Sequence, residues 1–488
     1  MGNEADRVAG SVKWSIGGSV VNKGLTLLTT IVLARLLVPE DFGLVAAAVL
    51  ALTVFNVLSD LGLTGVLVVR QDFDRAAQGT VLTMLVVAGL AIAAILIALA
   101  PLIAAVFREE RLEDIVRVMA ALSAVTGFSW FYDMLLQREL HFGRRFVAVL
   151  VRTLVYAGVA VGLAATGAGV WSLVGGQVSG ALVYGIVLLV LAPYRIRPTF
   201  STRTAKDALR SGHGFLLQGG ATTVQDNLDY LVVGRVLGAD GLGVYSMAYR
   251  LGEVPYSAIA DPVARVTFPA FAQMRHAGQD VGPQFLKSLQ AVALLTWPIG
   301  LILSGAAEPF VRAVFGDQWL AMISPLVVMG VWAVIRPLET MIGWFLNSLG
   351  EASRSGQISA ALLVPLVPAL FFAASYAGTV GVAWVVLAHL TVTILLQSVV
   401  AHRRLGLSVR RQWRALWVLV PPAAACWGSA RVVTELTVDL SPLASLVLAV
   451  TAGLGAYGAS VGLLQPALVG SVLRYARRSL GPRLKAPA

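Results

Sequence analysis

Apolar residues run in stretches of about twenty along nearly the whole chain, and short polar punctuation separates them. A helix of roughly 20 residues spans the ~30 Å hydrocarbon core of a bilayer. Fourteen runs meet that length: 14–37, 43–69, 80–106, 115–137, 146–166, 170–192, 214–237, 242–265, 286–307, 322–347, 357–376, 380–401, 413–432 and 441–464. Connections as short as Gly167-Ala168-Gly169 and Gly378-Thr379 leave no room for a folded soluble domain. The pattern therefore predicts an all-α integral membrane protein of about 14 transmembrane helices.

The runs are not independent of one another. Leu33–Val45 reads LARLLVPEDFGLV, and Val233–Tyr245, two hundred residues later, reads VGRVLGADGLGVY. Arg35 answers Arg235, Leu37 answers Leu237, Gly43 answers Gly243, and Glu40 and Asp240 sit before each turn. A polar segment with Pro, Gly and Asp between apolar runs reads as the turn of a helical hairpin. Six helices separate the copies, so both hairpins point the same way. A parallel repeat predicts two six-helix lobes about a pseudo-two-fold axis along the membrane normal, with a pathway between them. The expected division is 1–192 for the first lobe, 193–213 for a cytoplasmic linker and 214–401 for the second lobe. Two extra helices fill 413–464, and a basic cytoplasmic tail, readable as an amphipathic surface helix, fills 465–488.

Composition agrees with the bilayer as solvent. Hydrophobic residues make up 57% of the 488, charged residues only 13%, and mean hydropathy is +0.80. The net charge of +11 would suit nucleic acid, but its distribution points elsewhere. With the N-terminus inside, 25 basic residues fall on cytoplasmic segments and 7 on outer ends. That asymmetry orients both termini inward, as an excess of Lys and Arg on cytoplasmic segments does, and assigns the charge to anionic membrane lipids; no nucleic-acid partner is expected. The first run lacks a cleavage site and reads as the first span. Cys426 is the only cysteine, and the five histidines form no metal-ligand pattern, so neither a disulfide framework nor a metal site is expected.

Polar residues within the spans are costly in hydrocarbon and face a cavity or a partner. Helix 1 sets Ser15, Ser19, Asn22, Thr26 and Thr29 on one face with Lys23 beside it; helix 7 does the same with Gln218, Thr222, Gln225 and Asp229, with Asp226 alongside. Helix 8 carries Arg250, Glu253, Ser257 and Asp261 near Tyr245, Tyr249 and Tyr256, and Pro255 and Pro262 predict a kink. Helix 10 lines up Trp332, Arg336, Glu339, Gly343 and Asn347, and helix 2 adds Asn56 and Asp60. Asp133, Arg152, Asp261 and Arg265 lie toward cytoplasmic ends, where snorkelling explains them. Lys23, Arg250 and Arg336, with Asn22, Tyr249 and Trp332, suit a ligand bearing phosphate and sugar. Asp60, Asp226, Asp229, Glu253 and Glu339 could bind H+ or Na+, or only neutralise the cations. Local pairing of Arg250 with Glu253 and of Arg336 with Glu339 is the alternative reading. No nucleotide-binding loop or nucleophile motif occurs, so no cofactor and no catalytic residue is expected.

LARLLVPEDFGL with Gly62-Leu63, and NLDYLVVGRVLGADGLGVYSMAYRL with Pro255 and VTFPAFAQM, resemble the polysaccharide flippases of the multidrug/oligosaccharidyl-lipid/polysaccharide exporter superfamily. The resemblance implies transfer of a lipid-linked oligosaccharide, usually on undecaprenyl pyrophosphate, between leaflets of a bacterial inner membrane by alternating access. It also implies cavity cations for the head group, and a functional link to glycosyltransferases and a polysaccharide polymerase. A multidrug or cation exporter of the same superfamily is the alternative. A membrane polymerase or ligase would be expected to need a substantial outer loop, and the segments around Arg108–Asp114 and Glu308–Gln318 are short.

Overall fold

The computed structural model describes residue 18 and residues 21–63, 74–139, 141–405 and 409–464. Within these, the side chains of 212–219, 221, 266, 269, 276, 352, 404, 405, 409 and 411 are not described. The start of the first span, both termini and the expected tail helix at 465–488 lie outside the described residues.

Helix α1 (21–36) is followed by α2 (Pro39–Asp60), α3 (Arg75–Phe107), α4 (Arg111–Arg138), α5 (Phe142–Ala165) and α6 (Val170–Leu191). The run Thr202–Pro255 breaks at Gly238 (φ 73°, ψ −170°) into α7 and α8. Helix α8 goes on through a π turn, Tyr256–Ala260, into Asp261–His276. Then come α9 (Gly282–Gly305) and α10 (Ile323–Ser348). The run Ala352–Leu405 breaks at Gly378 (φ 58°, ψ −148°) into α11 and α12, and α13 (Val420–Leu436) and α14 (Pro442–Leu464) end the described residues. Eleven described runs are long and apolar enough to cross a membrane, and two of them, of 54 and 51 residues, contain the glycine breaks. With those two divided and α1 added, the spans number fourteen, as the apolar pattern predicts.

Two local expectations change. The second run was expected to reach residue 69, but α2 ends at Asp60, where Leu61 (φ 51°) and Gly62 (φ 69°) turn left-handed. Apolarity continues past that turn and hides it. The kink expected at Pro255 and Pro262 is instead a π turn, with the Asp261 N–H donating to the Tyr256 carbonyl. A wider turn accommodates a backbone that proline deprives of a donor.

The described residues form two compact units. The first comprises residues up to Ala248 together with Phe315–Met322 and Ala360–Val386. Its core gathers Val81, Leu82 and Leu85 of α3 with Phe131, Tyr132 and Leu135 of α4 and Leu188 of α6. Here the repeat becomes geometry. A Cβ on Gly43 would fall inside the radius of the Ala239 carbonyl oxygen, and one on Gly243 inside that of Pro39, so the two matched turns touch backbone to backbone, each through its glycine. The segment after Gly316 also belongs to this unit. Gln318 Nε2 donates to the Leu37 carbonyl (3.1 Å) and to that of Ala34 (2.5 Å), and Trp319 Nε1 donates to Ala34 as well (2.9 Å). These donors satisfy carbonyls that the end of α1 leaves open. The stretch before α7 is extended to residue 201, where Thr199 Oγ1 donates to the Ala76 carbonyl and Thr83 Oγ1 to that of Thr199 (both 2.9 Å).

The second unit comprises Tyr249–Val314, Ile323–Ser359 and the residues from Leu387 onward. Its centre is aromatic: Phe285 of α9 stacks on Phe345 of α10 at 3.9 Å between centroids, and Phe271 meets Phe345 edge-on at 5.5 Å. A short helix, Val409–Trp417, is pinned to this unit by Gln290 Nε2 on the Ala415 carbonyl (2.8 Å) and by Gln412 Nε2 on Ser398 Oγ (3.0 Å).

Candidate functional site

In the second unit, Arg336 stands at the fourteenth of the 26 residues of α10, the depth farthest from either helix end. Glu339, one turn on, accepts from its Nη1 at 3.1 Å, and the two side chains are 20% and 16% exposed. The guanidinium lies 5.0 Å from the Tyr256 ring centre and 5.9 Å from that of Trp332. Tyr249 packs on Trp332 at 5.0 Å. Four of the expected site residues, Tyr249, Trp332, Arg336 and Glu339, are thus brought together, with Tyr256 as a fifth member supplied by the π turn. Arg250 differs: it is exposed, and no carboxylate among the described residues lies within ion-pair distance, so the alternative reading of it, a local pair with Glu253, does not form. Glu253 is half-buried on the same helix.

The other expected residues belong to the first unit. Of the polar stripe of α1, Ser15 and Ser19 lie outside the described residues, and two of the rest are spent on their own backbone: Thr26 Oγ1 donates to the Asn22 carbonyl and Thr29 Oγ1 to that of Leu25, both at 2.8 Å. Asn22 is the residue that reaches out, its Oδ1 accepting from Thr153 Oγ1 of α5 at 2.6 Å. Lys23 and Asp60 are half-buried, and Asp226 is exposed. Asp229 is buried and accepts from Tyr245 Oη (2.6 Å) across the Gly238 break and from the Tyr230 N–H (3.0 Å). An acid so well supplied with donors holds the α7–α8 hairpin together.

Sequence reasoning missed one constellation. Asp133 of α4 does not snorkel: its side chain is 8% exposed, with Arg145 Nε at 2.8 Å and Nη2 at 3.2 Å. Gln137 Nε2 and Tyr184 Oη also donate to it, both at 2.9 Å. The Tyr184 ring carries a second guanidinium, that of Arg152, at 5.4 Å. One signal was available: Arg145 and Arg152 are seven apart, on one face of α5, and Asp133 and Gln137 are four apart on α4.

The model of a family described as polysaccharide biosynthesis proteins matches residues 32–324, more than half of the 488-residue chain. The chain belongs to that family. Among polysaccharide biosynthesis proteins it is similar to the lipopolysaccharide biosynthesis protein WzxC of Escherichia coli, 26% identical over 420 residues and covering 85% of each chain. It is also similar to the succinoglycan biosynthesis transport protein ExoT of Rhizobium meliloti, 28% identical over 72% of this chain and 71% of that one. The teichuronic acid biosynthesis protein TuaB of Bacillus subtilis is 27% identical over 68% and 70%. Among solved structures, the lipid II flippase MurJ in an inward closed conformation superposes with a TM-score of 0.76 at 12% identity, covering 93% of this chain and 99% of that one. An inward-facing multidrug resistance MATE family transporter of the MOP superfamily gives 0.62 at 17% identity, covering 79% and 95%. At such identities the likeness is one of fold, and it agrees with the all-helical, two-lobed membrane architecture that the sequence pattern predicts.

Proposed function

We propose that the protein moves a lipid-linked oligosaccharide, on a carrier of the undecaprenyl pyrophosphate type, between leaflets of a bacterial cytoplasmic membrane by alternating access, for surface polysaccharide biosynthesis. The observation that carries this reading is Arg336. A guanidinium held half-way along a membrane helix, between two aromatic rings and beside one carboxylate, has the groups to meet a phosphate and a sugar face together. Membership of a polysaccharide biosynthesis family, and relatives named for transport or for flipping a lipid, support the same substrate class.

In this reading Lys23, Arg250 and Arg336 take the phosphates, while Asn22, Tyr249 and Trp332 line the head group's path. Glu339 neutralises Arg336 when no substrate is bound and yields it to phosphate on loading. Asp60, Asp226, Asp229, Glu253 and Glu339 are the candidate carriers of H+ or Na+. The protein makes and breaks no covalent bond; glycosyltransferases build its substrate, and a polymerase acts on the product. Both termini are cytoplasmic.

A deletion strain should accumulate lipid-linked sugar on the inner leaflet, measured by its accessibility to an impermeant label on each side. Wild-type protein should restore outward transfer. Arg336→Ala at matched protein level should restore less than about a tenth, the scale of one lost guanidinium–phosphate contact. Equal transfer by Arg336→Ala and wild type would remove this site, and normal export in the deletion strain would remove the function.

A further inference from the structure

Five of the 37 basic residues are neither on cytoplasmic segments nor at outer ends: Lys23, Arg152, Arg250, Arg265 and Arg336. Arg265 pairs with Asp261 at 3.0 Å and Arg336 with Glu339. Arg152 has no such anion among the described residues; its neighbour is the Tyr184 ring. It is the eleventh residue of the 24 in α5, about 15 Å from the helix start at 1.5 Å per residue. That depth is costly for a cation in hydrocarbon. Its side chain is nonetheless exposed.

The face on which it is exposed decides what it meets. The apolar residues that α5 exposes nearest to it, Val147 (45%) and Leu154 (51%), lie about 140–160° around the helix from Arg152 at 100° per residue, and Leu163 (37%) shares its face only some three turns further on. Arg152 instead leans over α6, where Gly180 leaves the space: a Cβ there would stand 3.7 Å from Arg152 Cγ. Asp133, which shares Tyr184 with Arg152, is already saturated by Arg145, Gln137 and Tyr184. The cluster thus holds two guanidiniums and one carboxylate, one positive charge in excess, and the quadrupole of the Tyr184 ring holds that charge in place. A planar fork fixed against a ring is preorganised to take phosphate oxygens bidentately.

We propose that Arg152 is a phosphate-binding residue of the first unit, recognising the diphosphate of the transported lipid, with Tyr184 as its positioning residue. The proposal rests on the flippase reading above and adds a contact that reading does not contain. Purified full-length protein in detergent is titrated with farnesyl pyrophosphate, with inorganic pyrophosphate and with phosphatidylglycerol. Wild type is expected to bind the first two, more weakly as salt is added. Arg152→Gln should weaken both more than tenfold, flatten the salt dependence and leave phosphatidylglycerol unchanged. Arg152→Lys should fall between wild type and Arg152→Gln, weakening binding several-fold while keeping the salt dependence, because charge persists while the fork and its stacking are lost. Tyr184→Leu, which leaves Arg152 in place without its platform, should weaken pyrophosphate several-fold, so the idea stays testable if Arg152→Gln does not fold. Wild-type affinity and salt dependence for pyrophosphate in both Arg152→Gln and Tyr184→Leu would overturn the assignment. So would a loss confined to phosphatidylglycerol, which would mark a site for bulk lipid. Absence of pyrophosphate binding by wild type would instead overturn the flippase reading together with this one.

Discussion

At the scale of residues, the contact between Gly43 and Gly243 allows the narrowest change. Each lacks the Cβ that would strike the opposite carbonyl, Ala239 for one and Pro39 for the other. Gly43→Ala and Gly243→Ala should each destabilise the protein by roughly 1–3 kcal/mol through overpacking, read as a lower unfolding temperature in detergent. The displaced backbone is shared, so the double variant should lose less than the sum of the two, a coupling that additive sites would not show. The pairing of these glycines was legible in the sequence as a repeat, and their contact was not. Periodicity reports which positions are alike, but not that like positions meet. The Asp133 cluster was hidden for a related reason. Its members come from three helices, and Asp133, Gln137 and Arg145, each alone near an end of its helix, look like side chains reaching for water.

At the scale of elements, the π turn is the feature that local rules came close to naming. Pro255 and Pro262 marked the place, and the outcome was a turn one residue wide of α-helical. That extra residue sets the rotation of everything after it. Tyr256 reaches Arg336 from one side of the turn, and Phe271 reaches Phe285 and Phe345 from the other. Deleting Ala258, an exposed residue within the turn, should restore a regular helix and rotate residues 261–276 by about 100°. Phe271 would then leave the aromatic core. The expected result is a sharp drop in folded yield on size-exclusion chromatography, whereas Ala258→Gly, which keeps the count, should behave nearly as wild type. A deletion variant with normal yield would show that the turn is not what sets this register.

At the scale of the whole molecule, apolar length and the matched turns made the fourteen spans and the repeat legible in advance, and the charge pattern predicts an orientation. They failed where a helix ends for a conformational reason, as at Leu61, because apolar length carries no information about φ. The orientation has a further physical support. Of the seven outer basic residues, Arg111, Arg117, Arg312 and Arg431 each pair with an acid, Glu40, Glu113, Glu308 and Glu435. Such exposed pairs add little stability, but they cancel four of those seven positive charges, as the expected orientation, with its basic excess on the cytoplasmic side, requires. Reporter fusions at Gly167 and Gly378 should therefore read periplasmic, and those at Gly278 and Gly350 cytoplasmic; the reverse pattern would invert the topology. The capping of α1 by Gln318 and Trp319 has a consequence in time. A chain emerging from the ribosome makes α1 well before the donors that close its end, which are nearly three hundred residues behind it. Until then those carbonyls must be served by water or by another protein. Helix α1 thus stays unfinished long after it is made, and a product that stops short of Trp319 never finishes it.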